Sequence, residues 1–352
     1  MQAPIDGLLF YSERLPWGTS VGTAVREDLY LTPFTDADNW TLYHGDCLDA
    51  LAELSDSSVN LIATDPPYFR IKNLPWDRQW DKPTEYLAWL DRVAAEWQRV
   101  LAPNGSLYCF ASPKMSARVE CLLGERFNVL NQIVWTKPNT PGFDGWKQKC
   151  SKDSLRLWYQ QSERIIFAEH INAVQNMFGH YIAAIRKQHG LTMSELTAAA
   201  RAHGAVNHGG ACSNWESGIN IPTREHYDAL RQAFPGCFNS EYDGLRQKYD
   251  DLRRPFSVTA DVPYTDVWDF PTVRPYPGKH PCEKPLEMME HIVRASSREG
   301  DTVLDCFMGS GVTGEAAIRN GRKFVGVEMA EEWCKAAEER IMWTPPIGES
   351  VV

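Results

Sequence analysis

The C-terminal part of the chain contains a strand, a glycine-rich turn, a helix and a second strand. Residues 304–314 read LDCFMGSGVTG, and residues 309–314 within them fit the pattern G-x-G-x-x-G. The next strand, KFVGVEM at 323–329, carries Glu328 and lies close to the end of the 352-residue chain. A doubly wound sheet needs more strands than this segment contains. We therefore expect upstream strands to complete the sheet beside the glycine turn.

A strand, a glycine turn and a helix in this order are typical of a ligand-binding loop. Gly309 and Gly311 let the backbone approach a bound group closely, and a helix N-terminus favours an anionic group. Glu328, at the end of the following strand, is placed to accept hydrogen bonds from ribose hydroxyls. The alternative is a tight turn with a solvated Glu328. The pattern alone does not decide which ligand is bound.

A second motif, ATDPPYF at 63–69, follows the strand-like segment VNLIAT at 59–64. The two prolines end any strand, since they lack backbone donors. If the upstream strands complete the sheet, this motif lies next to the glycine turn, at the edge where such sheets bind ligands.

Asp-Pro-Pro-Tyr suits the activation of an exocyclic amine on a nucleobase. The carboxylate of Asp65 and the carbonyl of Pro66 can each accept one N–H bond, and Pro67 keeps the segment rigid. The Tyr68 ring can stack on a base that has left the DNA helix. These interactions act by positioning and electrostatics. The alternative is a strand end with a solvated aspartate and a packed tyrosine.

Four segments together resemble the DNA amino-methyltransferases, which make N6-methyladenine or N4-methylcytosine from S-adenosylmethionine. They are YHGDCLDAL at 43–51, ATDPPYF at 63–69, KHPCEKPLEMMEHIV at 279–293 and LDCFMGSGVTG at 304–314. The catalytic motif precedes the cofactor motif, as in the β group of that family. The resemblance covers about 41–170 and 262–340. It implies a circularly permuted Rossmann-like α/β sheet with an inserted, partly helical target-recognition region.

The resemblance also implies the site residues. Asp65, Pro66, Pro67 and Tyr68 would be catalytic, and no metal is needed. The cofactor would be bound by Asp46 and Cys47 near its adenine, by Glu328 at its ribose, by His280, Pro281 and Lys284 near its methionine end, and by Asp65, Asp305, Phe307, Gly309, Ser310, Gly311 and Thr313.

An aspartate in the first position of the motif usually goes with adenine in this family, and a serine with cytosine N4. We therefore expect adenine, with cytosine N4 as the alternative. Pro281-Cys282 is similar to the Pro-Cys of cytosine-C5 methyltransferases. However, it lies upstream of the glycine turn, and nothing in the sequence marks an activated thiol.

Residues 178–234 contain three helical patterns joined by turns, and 240–262 look irregular. The segment 181–234 resembles helix-turn-helix repressor domains, with Trp-Glu-Ser-Gly at 215–218 and Pro222 in place. Asn207, His208 and Ser213 are candidates for DNA contacts. The alternative is a helical spacer with solvated polar faces.

Charge gives a weaker indication. The formal net charge of −10 argues against coating nucleic acid by charge alone. Between 137 and 164 basic residues outnumber acidic ones, and Lys137, Lys147 and Lys149 are candidates for a local basic cleft. The alternative is a solvated loop. Nine scattered cysteines without C-x-x-C suit reduced thiols in the cytoplasm, and the start of the chain predicts no signal peptide.

The predicted organisation has four parts: a lead-in at 1–40, a catalytic half at 41–136, a recognition region at 137–262, and a cofactor half at 263–345. Strand 163–169 of the recognition region is expected to return to the core. The predicted partner is double-stranded DNA and no membrane. A cognate restriction endonuclease and a homodimer stay open. Rival functions are methylation of RNA or protein, and a DNA-binding protein without catalysis.

Overall fold

The computed structural model places the strands and helices around one mixed sheet. The described residues are 31–71, 78–137, 153, 156–158, 160–171, 176–202, 210–258 and 264–345. The strands are β1 Thr35–Ala37, β2 Trp40–His44, β3 Val59–Thr64, β4 Leu101–Ala111, β5 Phe127–Thr136, β6 Ser162–His170, β7 Val267–Asp269, β8 Thr302–Asp305 and β9 Lys323–Glu328. The helices are α1 Cys47–Glu53, α2 Pro83–Val100, α3 Ser116–Gly124, α4 Met177–Gln188, α5 Met193–Ala199, α6 Gly210–Glu216, α7 Arg224–Ala233, α8 Tyr242–Leu252, α9 Leu286–Ser296, α10 Val312–Arg319 and α11 Glu331–Met342.

The strand order is β1-β2-β9-β8-β3-β4-β6-β5-β7. The C-terminal strands β8 and β9 therefore lie between the N-terminal strands β2 and β3, as the permuted fold requires. Strands β2, β9, β8, β3 and β4 run parallel to one another, whereas β6 is antiparallel to both β4 and β5. The predicted fold class, a permuted Rossmann-like methyltransferase sheet, is confirmed.

Helices cover both faces of the sheet. Helices α1, α2 and α3 pack on one face, and α9, α10 and α11 pack on the other, so that two hydrophobic cores enclose the sheet. In α2 the buried residues Leu90 and Trp97 recur at helical spacing, which gives the helix one apolar side. Within the described ranges, no helix combines the length and apolar character that crossing a membrane requires.

Strand β4 contains a turn-forming sequence. Pro103-Asn104-Gly105 is a pattern typical of turns, but β4 begins at Leu101 and includes the three residues. Its pairing with β3 jumps from Val59↔Leu101 to Leu61↔Ser106. The turn-forming residues are therefore accommodated in an irregularity of the strand rather than in a loop.

Helices α4 to α8 form a bundle with its own core, which includes Phe178, Trp215 and Tyr227. The Arg186 guanidinium binds the Glu216 carboxylate through two hydrogen bonds of 2.5 and 2.9 Å, which joins α4 to α6. The expectation that 240–262 is irregular was wrong, because α8 spans Tyr242–Leu252 and buries Tyr242 and Leu245 in this core. An amphipathic pattern with many charges hid the helix in the sequence.

The bundle is joined to the sheet layers through the end of α8. The Arg298 guanidinium donates to the carbonyls of Asp250 and Arg253, at 2.8 and 3.0 Å. The Arg254 guanidinium donates to Glu169 Oε2 on β6 at 2.9 Å. These bonds fix the segment that follows the bundle against the edge of the sheet opposite the glycine turn.

Candidate active site

Four carboxylates lie at or just after the ends of the parallel strands, at one edge of the sheet. The pairing of His44 with Glu328 aligns the ends of β2 and β9, and β3 pairs with β8 at Ile62↔Leu304. Since parallel strands end at the same edge, Asp46, Asp65, Asp305 and Glu328 arrive there together. The topology thus places the two sequence motifs side by side.

A cavity of about 800 Å³ opens at this edge, within the size range of small-molecule sites. It has two sides. We call the loop 305–313 with Glu328 and the segment 279–283 the cofactor side, and residues 65–68 with Lys284 the elbow side. The predicted residues that line the cavity are Asp46, Cys47, Asp65, Pro66, Pro67, Tyr68, His280, Pro281, Lys284, Asp305, Phe307, Gly309, Ser310, Thr313 and Glu328.

Asp305 fixes the shape of the cofactor side. Its Oδ1 accepts hydrogen bonds from the Thr64 hydroxyl at 2.8 Å and from the Phe307 amide at 3.1 Å, and its Oδ2 accepts one from the Thr313 hydroxyl at 2.6 Å. Burial raises the pKa of Asp305 to about 6, against the effect of the Thr313 and Thr64 hydrogen bonds. Asp305 therefore ties the loop to β3 and to α10, and its oxygens point into the protein.

The two glycines of the loop have different tasks. Gly309 has φ +50°, and a Cβ there would lie 3.1 Å from the His280 ring, on the cavity wall. Gly311 has φ +76°, precedes α10 and would place a Cβ 2.7 Å from the Cβ of Ala337. Gly311 does not line the cavity. Close packing against the helix therefore accounts for a glycine at this position. Direct contact of Gly311 with the cofactor stays a prediction.

Glu328 holds the loop from the neighbouring strand. Its Oε2 accepts from the Gly309 amide and its Oε1 from the Ala330 amide, both at 3.0 Å. Burial raises the pKa of Glu328, although these amide bonds oppose the change. Each carboxylate oxygen has a second lone pair, so the group can still accept hydroxyl donors.

The segment before α9 closes the cofactor side. The Ser310 hydroxyl donates to Glu283 Oε2 at 2.7 Å, and the His280 ring meets Trp333 edge-on with centroids 4.6 Å apart. Burial, followed by the Lys284 ammonium, lowers the pKa of His280 to about 4. The amide of Cys282 donates to His280 Nδ1 at 3.3 Å, which favours the tautomer with its proton on Nε2.

Asp46 and Cys47 begin α1 at the far end of the cofactor side. The Asp46 carboxylate accepts from the Leu48 amide at 2.8 Å and caps the helix. Cys47 is buried, and burial raises the pKa of its thiol to about 12. Both residues line the cavity, and their contact with the cofactor adenine stays a prediction.

On the elbow side, Asp65 has one engaged oxygen and one unengaged oxygen. Lys284 Nζ donates to Asp65 Oδ2. Among the described residues, Oδ1 is buried and has no hydrogen-bond partner. Burial raises the pKa of Asp65, the Lys284 ammonium opposes this change, and the Glu163 carboxylate adds to it. A buried acceptor without a partner is costly, and such sites are typically kept for a ligand.

Two cavity residues escaped the sequence motifs. Glu163 begins β6, and its Oε2 accepts from the Tyr68 hydroxyl at 3.1 Å. Lys137 follows β5, and its Nζ donates to Glu163 Oε1. Because β6 runs antiparallel to its neighbours, its first residues lie at the edge where the parallel strands end. That reversal was not visible in the sequence.

The predicted DNA contacts are only partly covered by the described residues. Lys137 lies in the cavity with Nζ 4.9 Å from the centroid of Trp135. Ser213 is half-buried on α6, in the bundle. Lys147, Lys149, Asn207 and His208 lie outside the described residues. All six roles in DNA binding stay predictions.

The residues present fit S-adenosylmethionine. The cavity is large enough, the glycine turn leaves room where a side chain would collide, and Glu328 has lone pairs for hydroxyls. The aromatic rings of Phe307 and Trp333 line the cavity, together with Asp65 Oδ1, which has no partner among the described residues, and this surface can hold a large, partly cationic ligand. The fold and the site together are those of a cofactor-dependent α/β enzyme.

Comparison with known proteins identifies the family. A family model described as a DNA methylase of the N6_N4_Mtase type matches residues 59–339, which is most of the chain. The chain belongs to this family of DNA methyltransferases. Its cofactor is S-adenosylmethionine, and DNA is its methylation target, as predicted. Whether adenine or cytosine is the target base is not decided by the family, which covers both.

Two relatives match over nearly the whole chain. The DNA adenine methyltransferase YhdJ of Escherichia coli strain K12 is 27% identical over 305 residues, covering 86% of this chain and 82% of its own length. The type II methyltransferase M2.MboI of Moraxella bovis is 23% identical over 337 residues, covering 90% and 93%.

A solved structure supports the fold. The cytosine-N4-specific PvuII DNA methyltransferase aligns with a TM-score of 0.53 and 16% identity, covering 90% of each chain. At this level of identity the likeness supports the architecture alone.

Proposed function

We propose that the chain is a site-specific DNA methyltransferase acting on the N6 amine of adenine in double-stranded DNA, after the base has left the helix. The observation that carries the proposal is the state of Asp65. Its Oδ1 is buried and unpartnered among the described residues, at the end of the cavity that adjoins the cofactor side. An amine N–H donor in that position would satisfy it.

The elbow residues have distinct tasks in this proposal. Asp65 Oδ1 and the Pro66 carbonyl accept the two N–H bonds of the amine, and Pro67 keeps the carbonyl in place through its fixed φ. Tyr68 stacks against the extruded base, and Phe110 and Trp135 add further aromatic surface to the cavity. Base extrusion costs a few kcal/mol, which such stacking helps to offset.

The chemistry needs little covalent help from the protein. Bound S-adenosylmethionine supplies a methyl group on a positively charged sulfur, which makes that carbon electrophilic. The hydrogen bonds to Asp65 and Pro66 draw the amine nitrogen toward tetrahedral geometry and expose its lone pair. As the nitrogen–carbon bond formed, the carbon–sulfur bond would break, and its electron pair would leave with sulfur as a neutral thioether. The methylated amine would then carry one proton too many, and Asp65 Oδ1 would be placed to accept it.

Adenine is favoured over cytosine by two observations. The motif begins with aspartate, which the family resemblance associates with adenine, and the relative from Escherichia coli is named a DNA adenine methyltransferase. Cytosine N4 would use the same hydrogen bonds, since its exocyclic amine also offers two N–H donors. The base assignment therefore needs a direct measurement.

The bundle of α4 to α8 is our candidate for contacts to the DNA outside the target base. It has its own core and resembles helix-turn-helix domains in sequence. Replacing Asn207, His208 and Ser213 by alanine together should weaken DNA binding without changing cofactor binding. If the triple variant bound DNA as tightly as the wild type, the bundle would be a spacer instead.

A cognate restriction endonuclease and a homodimer stay proposals, and a type II methyltransferase is among the relatives. Digestion of DNA from expressing cells with a set of endonucleases tests the first, because a protected recognition site identifies the specificity of the partner. Sedimentation of the purified chain tests the second.

Expression in a cell that lacks DNA methylation tests the function itself. The DNA is hydrolysed, and its modified nucleosides are identified by mass. N6-methyladenine is the expected product. N4-methylcytosine would keep the mechanism and overturn the base assignment. If a soluble protein that binds cofactor makes neither product, the proposal is contradicted. RNA or protein then becomes the favoured substrate.

A further inference from the structure

Glu163 is a buried carboxylate that contacts three functional groups of the elbow side at once. It accepts from the Tyr68 hydroxyl at 3.1 Å and pairs with Lys137 Nζ, and its Oε2 lies 3.5 Å from Lys284 Nζ. Its side chain is only 12% exposed. Burial alone would raise its pKa, but the Lys284 and Lys137 ammoniums outweigh that effect and lower the pKa of Glu163 to about 2. The two ammoniums therefore favour the ionised form of Glu163.

Lys284 extends this contact to the elbow aspartate. Its ammonium lies between Glu163 and Asp65 Oδ2, and its side chain is 8% exposed. The centroid of the Phe110 ring lies 4.9 Å from Nζ, which is within the range of a cation–π interaction. The Lys284 ammonium is thus held by two carboxylates and an aromatic ring. An ammonium held in this way fixes the rotamer of the carboxylate that it binds.

We infer that Glu163 is a positioning residue that aligns both ends of the elbow, Tyr68 directly and Asp65 through Lys284. With Oδ2 of Asp65 anchored, Oδ1 is the oxygen left to face the amine. With its hydroxyl anchored, the Tyr68 ring has one orientation in which to receive the base. The inference rests on the proposed function, because it assigns these geometries to the activation of a target amine.

Charge balance gives the inference its specificity. Two carboxylates, Asp65 and Glu163, face two ammoniums, Lys137 and Lys284, in a largely buried space. If the network only stabilised the fold, replacing one of its residues would lower the stability of the protein and change nothing else. A positioning network also sets the ionisation of Asp65, since Glu163 and Lys284 act on it with opposite signs.

Five groups around Asp65 interact with it electrostatically. They are Lys284 before α9, Glu163 on β6, Tyr68 in the elbow, Asp305 on β8 and Cys109 on β4. Lys284 and the Tyr68 hydroxyl favour the ionised form of Asp65, and Glu163 opposes it. Replacing Glu163 or Lys284 should therefore shift the acid limb of the profile of activity against pH. The two shifts should have opposite directions.

The test compares Glu163→Gln with Lys284→Gln, using the wild-type enzyme and DNA carrying its recognition site. For Glu163→Gln we expect kcat to fall about 10- to 100-fold through misplaced reacting groups, with cofactor Kd little changed. The acid limb of kcat/KM against pH should move to lower pH, because a like charge beside Asp65 is gone. For Lys284→Gln the limb should move to higher pH, because the ammonium is gone.

Glu169→Gln is the matched control. Glu169 lies on the same strand at the other edge of the sheet, is 3% exposed and is ion-paired with Arg254 at 2.9 Å. Its replacement should lower thermal stability, as Glu163→Gln also should, but leave the acid limb where it is. The inference would be overturned if the acid limb of kcat/KM stayed in place in both Glu163→Gln and Lys284→Gln. It would also be overturned if the limb moved in the same direction in both variants.

A crystal structure of the Glu163→Ala variant gives a readout that does not depend on activity. We expect Tyr68 and Asp65 to adopt new or multiple rotamers, and unchanged positions of both side chains would overturn the inference. If wild-type protein makes no methylated adenine, the proposed function fails. The structure of the variant then still decides whether Glu163 positions the elbow.

Discussion

Asp305 and Asp65 lie at the ends of the neighbouring parallel strands β8 and β3, yet their carboxylates have opposite hydrogen-bonding states. Asp305 accepts three hydrogen bonds from Thr64, Phe307 and Thr313. Asp65 binds Lys284 through one oxygen, and the other is buried without a partner among the described residues. One acid is therefore part of the scaffold, whereas the other keeps an oxygen for a ligand.

The same contrast holds for the two sides of the cavity. The cofactor side is held by backbone amides, hydroxyls and close-packed glycines, so its shape is set before any ligand arrives. The elbow side is held by charged side chains of β5, β6 and the segment before α9. The fold therefore sets the shape of the cofactor side, whereas a charge network sets the shape of the elbow side, where our proposal places the amine.

Asp65→Ala gives the largest expected effect. Methyl transfer should fall at least about 10³-fold, since the variant loses the acceptor that activates the amine. Cofactor binding should survive, because the cofactor side is held independently. Radiolabelled methyl transfer and calorimetry measure the two quantities. Asp81→Ala, at an exposed carboxylate paired with Arg70, serves as the control. Near-normal transfer by Asp65→Ala would contradict the mechanism.

Asp305→Asn should affect stability and cofactor binding together. An amide nitrogen cannot accept a hydrogen bond, so at least one of three buried donors loses its acceptor. We expect a loss of about 2–4 kcal/mol in the free energy of unfolding. Asp301→Asn, before the opposite end of β8, is the control, since it affects one amide bond from Arg298. If Asp305→Asn were as stable as the wild type, the claim that Asp305 is part of the scaffold would be contradicted.

The loss caused by Asp305→Asn should also depend on pH. The pKa of Asp305 is raised by burial from its usual value of 3.8 to about 6. Between these values the folded protein holds a proton that the unfolded chain has released, so the contribution of the protonated group is full below 3.8 and is lost as pH rises through about 6. Asparagine has no such dependence. The stability gap between wild type and variant, from denaturant titrations, should therefore narrow as pH rises through this window.

Gly311→Ala tests the packing of the cofactor side. The position has φ +76°, and a Cβ would lie 2.7 Å from Ala337, on the helix behind the loop. Strain and overlap together should cost about 1–3 kcal/mol of unfolding free energy. Gly244→Ala on α8 has open space and should instead stabilise the bundle by about 0.5–1 kcal/mol. Equal effects of the two substitutions would contradict the assignment of Gly311 to helix packing.

The sequence predicted the cofactor side well because its signals are local. Strand, glycine turn, helix and acid follow one another within 304–328, and parallel pairing then places the elbow motif beside them. Strands β1 and β7, of three residues each, were not predicted, since segments this short carry no periodicity.

The elbow side could be predicted only in part. Asp65 and Tyr68 belong to a motif, but Glu163 reaches Tyr68 through the antiparallel return of β6, 95 residues along the chain. Lys137 arrives at the end of β5. Lys284 was expected beside the cofactor, and the structure pairs it with Asp65. Such pairings depend on tertiary topology, which no local pattern of residues records.

Ser310→Ala has the smallest expected effect and sharpens the contrast most finely. The variant loses one hydroxyl, which donates to Glu283 Oε2 at 2.7 Å and joins the glycine turn to the segment that carries His280. A typical intramolecular hydrogen bond contributes about 0.5–1.5 kcal/mol net, so cofactor Kd should rise about two- to tenfold. Maximal transfer at saturating cofactor should be unchanged, because the elbow side is not touched. Ser58→Ala, in an exposed turn where the hydroxyl donates to the Ser55 carbonyl, should leave Kd unchanged. If Ser310→Ala lowered kcat instead of affinity, the two sides of the cavity would be coupled rather than separately held.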